Sequence, residues 1–320
     1  MKSNFFLLVS VVIFFVFFKS TNAQENKVTE VALNVNVEDS YGRTIDGLTS
    51  ENFRVYEDGK LREIRTVKSE NTALSVGFLV DLSDSMTKNF RNNKISRVDW
   101  GRQSMLDFLQ DSNESNEYFL ILFGKESKIV SDFNNRDEVV KVIKENSNFD
   151  AHKQSKTKLY DAIVMALKQM TKAKNKRQVL YVLSDGQDNQ SDYKLKELQS
   201  LVKQNNIIIY FVAVYDPTDA DSYYANINSQ LIIEKLTGIT GGYGFFPRGL
   251  KEVRESAVRI STALKSQYTI NFESNVSDEI NKWRIVKVKL EVPKERKKEF
   301  DSIRVRHREG YFPASKSVEN

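Results

Sequence analysis

The chain has 320 residues and a formal net charge of +5, and its 40% hydrophobic and 28% charged residues are typical of a globular protein rather than a disordered one. It contains no cysteine and only two histidines, which argues against disulfides, thiolate metal sites and a histidine-rich zinc site. The basic residues are interleaved with acidic ones instead of clustering, so we expect no nucleic-acid-binding face.

Residues 1–23 have the order of a secretory signal peptide. Lys2 precedes an apolar run over residues 5–18 that only Ser10 interrupts, and small residues follow up to Ala23. The run is shorter than the roughly 20 apolar residues that a bilayer-spanning helix needs, although an uncleaved membrane anchor is the alternative. We expect cleavage after Ala23 and export to the periplasm or the extracellular space of a bacterium, which also suits a chain without disulfides.

Residues 24–72 carry the pattern of β-strands. Apolar and polar residues alternate over residues 31–37 and again over 53–55, which is the period of a strand with one buried face. Asp58-Gly59 predicts a tight hairpin turn. Because so few strands do not form a stable domain alone, we expect further strands from elsewhere in the chain.

Residues 269–314 show the same alternation over 286–292 and 303–305, and residues 315–320 form a short tail. We predict that these strands return to pair with those of residues 24–72, because neither end of the chain has enough apolar core of its own. The result is one small β-sandwich that the middle of the chain splits in two. Two separate β-modules are the alternative.

The middle of the chain, residues 73–268, alternates between apolar runs and amphipathic segments. Runs that are apolar on both faces indicate strands of a sheet covered by helices, and they occupy residues 73–80, 118–123, 179–183 and 207–214. Apolar residues recur at helical spacing over residues 98–109, 159–170, 195–202 and 250–264. We therefore predict an α/β domain with a mostly parallel, doubly wound sheet.

Oxygen-bearing side chains follow two of these predicted strands. Asp81, Ser83 and Ser85 occupy alternate positions after the first strand, and Asp185 follows the third. Thr157 lies just before a predicted helix. Because ligands of an open parallel sheet bind outside the carboxyl ends of its strands, we expect these five side chains to meet there.

Carboxylate and hydroxyl oxygens form a hard metal site, which suits Mg²⁺ best here, with Ca²⁺ and Mn²⁺ as alternatives. Only Asp81 and Asp185 bring charge, so the ion would keep excess positive charge and a position open for an outside carboxylate. We expect an acidic residue of a protein partner to supply it. Of the nearby acids, Asp84 and Asp188 are predicted to be solvated at the rim, and Asp161 to favour the dipole of a helix N-terminus.

The order of Asp81, Ser83 and Ser85, then a distant Thr157 and a distant Asp185, resembles the metal-ion-dependent adhesion site of the von Willebrand factor A domains. The resemblance covers the middle of the chain. It implies that the serines and the threonine ligate a divalent cation directly and that the two aspartates act largely through water. It also implies a binding module rather than an enzyme.

The flanks resemble a bacterial group of exported A-domain proteins of the acidobacterial type, through residues 47–53, the Asp58-Gly59 turn and residues 308–312. One departure lies next to the predicted site. The family commonly has two glycines before the threonine, where this chain has Ser155 and Lys156. Lys156, together with Lys158, places positive charge beside the predicted cation, which either weakens cation binding or helps to attract an acidic partner.

Two other functions fit parts of the pattern. A metal-dependent phosphatase of the haloacid dehalogenase type also has an aspartate after its first strand, but it needs a second aspartate two residues later, where this chain has Ser83. A structural envelope protein whose metal only stabilises the fold would carry the same ligands. The sequence contains no nucleophile elbow, zinc-protease motif or phosphate loop, so we predict no enzymatic activity.

Overall fold

The computed structural model of the protein describes residues 28–69, 71–89, 95–145, 149, 156–214, 223–275, 282–291 and 302–313. The predicted signal peptide, the predicted tail and Ser155 lie outside these residues.

The strands in chain order are β1 (Val28–Glu38), β2 (Phe53–Glu57), β3 (Lys60–Arg62), β4 (Ile64–Ser69), β5 (Leu74–Asp81), β6 (Glu117–Phe123), β7 (Ser127–Asn134), β8 (Arg177–Ser184), β9 (Ile207–Ala213), β10 (Gly244–Phe245), β11 (Tyr268–Asn275), β12 (Arg284–Leu290), β13 (Arg304–His307) and β14 (Gly310–Tyr311). The α-helices are α1 (Asp84–Thr87), α2 (Arg97–Leu109), α3 (Arg136–Lys144), α4 (Leu159–Met170), α5 (Leu195–Gln204), α6 (Tyr223–Thr240) and α7 (Leu250–Lys265).

A six-stranded sheet forms the centre of the protein, in the order β10-β9-β8-β5-β6-β7. Neighbouring strands are parallel except β6 and β7 at one edge, which are antiparallel. Every side chain of β5, β6 and β9 is buried, as expected for strands with both faces covered. The predicted α/β fold with a mostly parallel sheet is confirmed.

The helices cover both faces of this sheet, so it is doubly wound. One core contains Phe78 of β5 with Trp100 of α2 and Ile260 of α7. The other contains the next residue of β5, Leu79, together with side chains of α4, α5 and α6 such as Ile163. Successive strand residues point to opposite faces, which is why adjacent apolar residues serve two separate cores.

The sequence patterns did not predict α3 or β7. The edge strand β7 has one buried residue, Ser131, and the rest are partly or largely exposed, so no run of apolar residues marks it. The nine residues of α3 bury only Val139 and Ile143. Strand β7 therefore lacks the periodicity on which the sequence prediction depends, whereas α3 has helical spacing between Val139 and Ile143 but is too short for a clear signal.

Two four-stranded antiparallel sheets form a β-sandwich, in the orders β13-β1-β11-β4 and β14-β12-β2-β3. Strands from the two ends of the chain pair directly, since β1 lies between β11 and β13, and β2 pairs with β12. Side chains of both sheets share one core, in which the rings of Phe53 and Tyr268 lie 5.4 Å apart. The predicted flanking β-structure built from both ends of the chain is confirmed.

Polar side chains join the sandwich to the central domain. Glu38, at the end of β1, is fully buried, and the Tyr243 hydroxyl donates to its Oε1 at 2.9 Å. Arg306 Nε of β13 lies 3.7 Å from the other carboxylate oxygen of Glu38. Asn36 Nδ2 donates to the Tyr210 hydroxyl at 3.0 Å. One oxygen of Glu38 is thus hydrogen-bonded, while the other has no hydrogen-bond partner among the described residues and is balanced by the charge of Arg306.

Candidate metal centre

The predicted ligands lie at the carboxyl ends of two neighbouring strands of the central sheet. Asp81 is the last residue of β5, and Asp185 follows the last residue of β8. The two strands are parallel neighbours, with Val80 opposite Leu183. Both aspartates are almost completely buried. Their approach to each other therefore follows from the strand pairing, as the sequence predicted.

Hydrogen bonds orient the Asp81 carboxylate from both sides. Its Oδ1 accepts from the Ser83 backbone N–H at 2.8 Å, and its Oδ2 accepts from the Ser184 hydroxyl at 2.6 Å. The Ser184 hydroxyl also accepts from the Gly186 backbone N–H at 3.0 Å. Ser184 thus links the end of β5 to the turn after β8.

The hydroxyl groups of Ser83 and Ser85 connect to each other and to the Asp185 side chain. Ser83 is the N-cap residue of the four-residue helix α1, but its side chain makes no capping hydrogen bond. Its hydroxyl lies 3.1 Å from that of Ser85, and the Asp185 side chain accepts a hydrogen bond from Ser85. The Ser83 side chain therefore faces the aspartates instead of capping the helix.

Burial, followed by repulsion from Asp185, raises the pKa of Asp81 well above its ordinary value. Burial also raises the pKa of Asp185, although its hydrogen bond from Ser85 and the positive charge of Arg97 oppose the increase. Two buried carboxylates that disfavour each other's ionisation are the arrangement that a bound cation would relieve.

Backbone hydrogen bonds hold Thr157 at the same edge of the sheet. Its N–H donates to Asn189 Oδ1 at 2.9 Å, and its carbonyl accepts from the N–H groups of Asn189 and Gln190 at 3.1 and 3.2 Å. The next residue, Lys158, donates its N–H to the Gly124 carbonyl just after β6. The residues after Ser155 and Lys156 are thus fixed by the loop after β8 instead of by glycines.

Two expectations about the neighbouring acids were wrong. Asp84, expected to be solvated at the rim, is partly buried, and its Oδ1 is shielded from solvent without a hydrogen-bond partner among the described residues. Asp188 was expected to be solvated at the rim, but it is half-buried and its Oδ1 accepts from the Tyr160 backbone N–H at 3.1 Å and from the Ser191 hydroxyl at 2.5 Å. Asp188 therefore caps α4 from another loop, because the first N–H groups of a helix need acceptors. Asp161, expected to favour the dipole of this helix, does lie in its first turn.

Lys158, which we expected to place its charge beside the cation, makes two ion pairs. Its Nζ lies 3.3 Å from Asp161 Oδ2 and 3.1 Å from Asp192 Oδ2. Lys156 is exposed to solvent. The charge of Lys158 is therefore matched by two carboxylates of its own.

The residues at this edge fit a hard divalent cation by their chemistry. The five predicted ligands all offer oxygen, and the two that are charged are buried and mutually repulsive. Within the described ranges, no group of three or more acidic, histidine or cysteine side chains is placed to hold a metal. A site here would therefore depend on hydroxyl oxygens as much as on carboxylates.

Comparison with known protein families identifies the central domain. A sequence model of the von Willebrand factor type A domain matches residues 75–238. The chain belongs to the von Willebrand factor type A domain family. The matched region runs from β5 to α6 and contains all five predicted ligands of the A domain.

Solved structures with a similar fold are distant in sequence. The PilB minor pilin from Streptococcus sanguinis has 12% identity and a TM-score of 0.49, over 62% of this chain and 63% of the pilin, so this chain spans less than two thirds of the pilin's length. An aerotolerance-related membrane protein from Bacteroides fragilis has 12% identity and a TM-score of 0.46, over 59% of this chain and 98% of that one. BatB from Bacteroides thetaiotaomicron has 14% identity and a TM-score of 0.44, over 60% and 100%. No curated protein sequence matches the chain.

Sequence reasoning missed several residues that shape the edge of the A domain. Ser184 directly precedes Asp185 in the sequence, and that position at the end of a predicted strand was the available signal. Asn189 and Asp188 gave no such signal, because their partners Thr157 and Tyr160 lie about 30 residues earlier in the chain.

No helix in the described part of the chain is long and apolar enough to cross a membrane.

Proposed function

We propose that this protein is an exported, cation-dependent binding module that grips an acidic residue of a protein partner through a divalent metal. The cation is Mg²⁺ in the first instance, with Ca²⁺ and Mn²⁺ as alternatives. Members of the A-domain family often mediate protein–protein interactions, and the chain's membership of that family supports the general class. The cation, the export and the acidic partner are parts of the proposal.

The observation that carries the proposal is the buried pair of carboxylates at the edge of the sheet. Asp185 adds to the rise in the pKa of Asp81, and the groups bonded to the Asp81 carboxylate are neutral, namely the Ser83 backbone N–H and the Ser184 hydroxyl. Burying two neighbouring carboxylates is costly, and Arg97 offsets the charge of Asp185 only in part, so a cation at this point would stabilise the pair. Because only two ligands are charged, the cation would supply Lewis-acid attraction for an outside carboxylate.

The five predicted ligands would have two different roles in holding the cation. Ser83, Ser85 and Thr157 offer neutral oxygens that orient the cation, while Asp81 and Asp185 supply the negative charge that retains it. The backbone of Ser83 and the hydroxyl of Ser184 keep the Asp81 carboxylate in place. We propose no enzymatic activity, because this constellation contains no nucleophile activated by a base.

The proposal is tested first by calorimetric titration of Mg²⁺ into the parent protein and the Asp81→Ala variant. We expect Asp81→Ala to abolish measurable binding, because it removes half of the anionic charge of the site. Asp81→Asn, which keeps the size of the side chain and an acceptor for Ser184, serves as a second variant. Asp111→Ala, an exposed acid in a different loop, is the control and should bind Mg²⁺ as the parent does.

Partner binding is tested by affinity capture from a native envelope extract in Mg²⁺ and in chelator, with circular dichroism as the folding control. We expect capture in Mg²⁺ only, and loss of capture by Asp81→Ala. Thr157→Ala should reduce capture even at saturating Mg²⁺, since it removes a neutral ligand that orients the cation. If the chelator lowers the melting temperature but leaves capture unchanged, the metal only stabilises the fold and the adhesion proposal is wrong.

A further inference from the structure

The sheet β14-β12-β2-β3 has an outer face that points away from the sandwich core. Side chains alternate along its strands, so that Phe53 and Val55 are buried while Arg54 and Tyr56 point outward. On β12 the outward residues are Ile285, Lys287 and Lys289, and on β3 the outward residue is Leu61, which lies opposite Tyr56. We define the outer face by these six residues.

The charges on the outer face are of one sign. Lys289 lies directly opposite Arg54, and Lys287 directly opposite Tyr56. Like charges at opposed positions of neighbouring strands repel each other and destabilise a sheet unless an anion lies nearby. In the described residues of β2, β3 and β12, no outward position carries an acid; the carboxylate nearby, Glu291, follows β12 and pairs with Arg54 at 2.5 Å.

Large apolar side chains stand among these charges. Leu61 is 59% exposed and Ile285 is 61% exposed, which ranks them among the most exposed large apolar residues of the described chain. Tyr56 lies between Leu61 and Lys287 in the same row, and Lys289 Nζ lies 5.1 Å from the centre of its ring. Lysine, tyrosine and aliphatic residues on one flat face are the combination that suits the headgroup region of a bilayer.

The same residues fit an acidic peptide less well. Precise recognition of a peptide carboxylate favours a free, bidentate arginine. Arg54, the arginine of this face, already has partners. Its Nη1 donates to the carbonyls of Glu51 and Phe53, and its Nη2 forms an ion pair with Glu291. The cations that remain are Lys287 and Lys289, flexible point charges that suit an anionic surface without fixed geometry.

We propose that the outer face of the sandwich binds the anionic headgroup surface of a lipid membrane. The sandwich joins the central domain near the amino end of β8, where Arg177 donates to the Leu264 carbonyl and to Gln267 Oε1 next to β11. The candidate metal centre lies at the carboxyl ends of β5 and β8, about 26 Å away along the eight residues of each strand. A membrane-bound protein would therefore leave the metal edge free for a partner.

The test is sedimentation with lipid vesicles of the chain from Gln24 onward, which retains every described residue but omits the apolar leader. Vesicles contain either 70% phosphatidylcholine with 30% phosphatidylglycerol or phosphatidylcholine alone. We expect binding to the anionic vesicles only, and weaker binding as salt is raised. Lys287→Glu with Lys289→Glu should weaken partitioning about tenfold or more. Leu61→Ser with Ile285→Ser should weaken it several-fold, because apolar insertion adds to the attraction.

The matched control is Lys128→Glu with Lys141→Glu, which makes the same charge change on exposed residues of β7 and α3. It should bind anionic vesicles nearly as the parent does, and circular dichroism should show all variants folded. If both lysine double variants lost vesicle binding equally, the effect would depend only on net charge and the proposal would be overturned. Equal binding of the parent to neutral vesicles would overturn it as well. Binding to soluble polyglutamate or to a nucleic acid, but not to vesicles, would assign the face to another partner. Vesicle binding should persist in chelator, so this test does not depend on the metal centre.

Discussion

Thr157 illustrates at the scale of single residues how this chain departs from its family. Where two glycines commonly shape the loop, the described residues here are bonded to a loop from the other side of the edge, chiefly through Asn189. An amide side chain that accepts from one backbone N–H can fix a loop that glycine would leave to local geometry. Asn189 is therefore expected to position Thr157 without contacting the cation itself.

Asn189→Ala should weaken Mg²⁺ binding about tenfold, the lower end of what loss of a positioning partner costs a metal site. The measurement is calorimetric titration, with the melting temperature in chelator as a check of the fold. Gln190→Ala is the matched control, because Gln190 reaches Thr157 through its backbone N–H, which the substitution keeps. Unchanged affinity in Asn189→Ala would show that Thr157 is positioned by other contacts.

The two lysines beside Thr157 permit a second prediction. Lys156→Gly with Lys158→Ala should tighten Mg²⁺ binding about twofold at low salt, because it removes positive charge near the cation and leaves Asp161 and Asp192 unneutralised. Calorimetry at low and at physiological ionic strength measures the change, which salt should reduce. An affinity that stays the same or falls at low salt would contradict the electrostatic account.

At the scale of elements, His307 connects the two sheets of the sandwich. Its Nε2 accepts from the Val288 backbone N–H at 3.1 Å, and its Nδ1 lies 2.8 Å from the Arg308 carbonyl. Since Val288 donates, the ring is neutral with its proton on Nδ1. Burial lowers the pKa of His307 below its ordinary value of 6.5, in agreement with that neutral state. The ring thus occupies the side of β12 that the short strand β14 leaves unpaired.

We expect acid to destabilise the sandwich through His307. Because the folded-state pKa is below the unfolded value, the stabilisation is complete above about pH 6.5 and is lost as the pH falls through the lower, folded-state pKa. Urea unfolding at pH 7.5, 6.5 and 5.5 measures this loss, and His307→Gln should flatten the dependence. His152→Gln, which replaces the other histidine of the chain, is the control and should keep the parent's slope. Equal slopes in all three proteins would exclude His307 as the titrating group.

The same scale separates the elements that sequence patterns predicted from those that they missed. Helix α4 matches the predicted residues 159–170, and α2 and α7 differ by one residue at their ends, because each has a continuous apolar stripe. The edge strand β7 has no such stripe, and the apolar side of α3 is limited to a helix of nine residues, so neither was predicted.

At the scale of the whole molecule, the junction around Glu38 connects the β-sandwich to the central domain. The carboxylate is buried between Tyr243 of the central domain and Arg306 of the sandwich, with Arg259 of α7 4.0 Å away. Removing one member of a buried charge group leaves its partners unpaired, and the cost is large. Glu38 is therefore expected to couple the unfolding of the sandwich to that of the central domain.

Glu38→Ala should lower the free energy of unfolding by about 3 kcal/mol and broaden or split the thermal transition. Differential scanning calorimetry gives both readings. Glu30→Ala, an exposed acid on the same strand, is the control and should change the stability by less than about 0.5 kcal/mol. A single sharp transition at the parent's temperature in Glu38→Ala would show that the junction does not depend on this carboxylate.

The sequence by itself determined the α/β character of the centre, the β-character of both flanks and the identity of the five candidate ligands. Those features depend on local sequence patterns, namely apolar periodicity and the alternate spacing of Asp81, Ser83 and Ser85. Only the tertiary structure decided that β1 lies between β11 and β13 and that Asp188 and Asn189 organise the residues around Thr157. It also decided that Glu38 is buried and that His307 bonds to the backbone of β12. The physical reason is that each of these depends on partners that packing brings together from about 20 to more than 200 residues away, and no local pattern of apolar residues specifies which polar groups will meet.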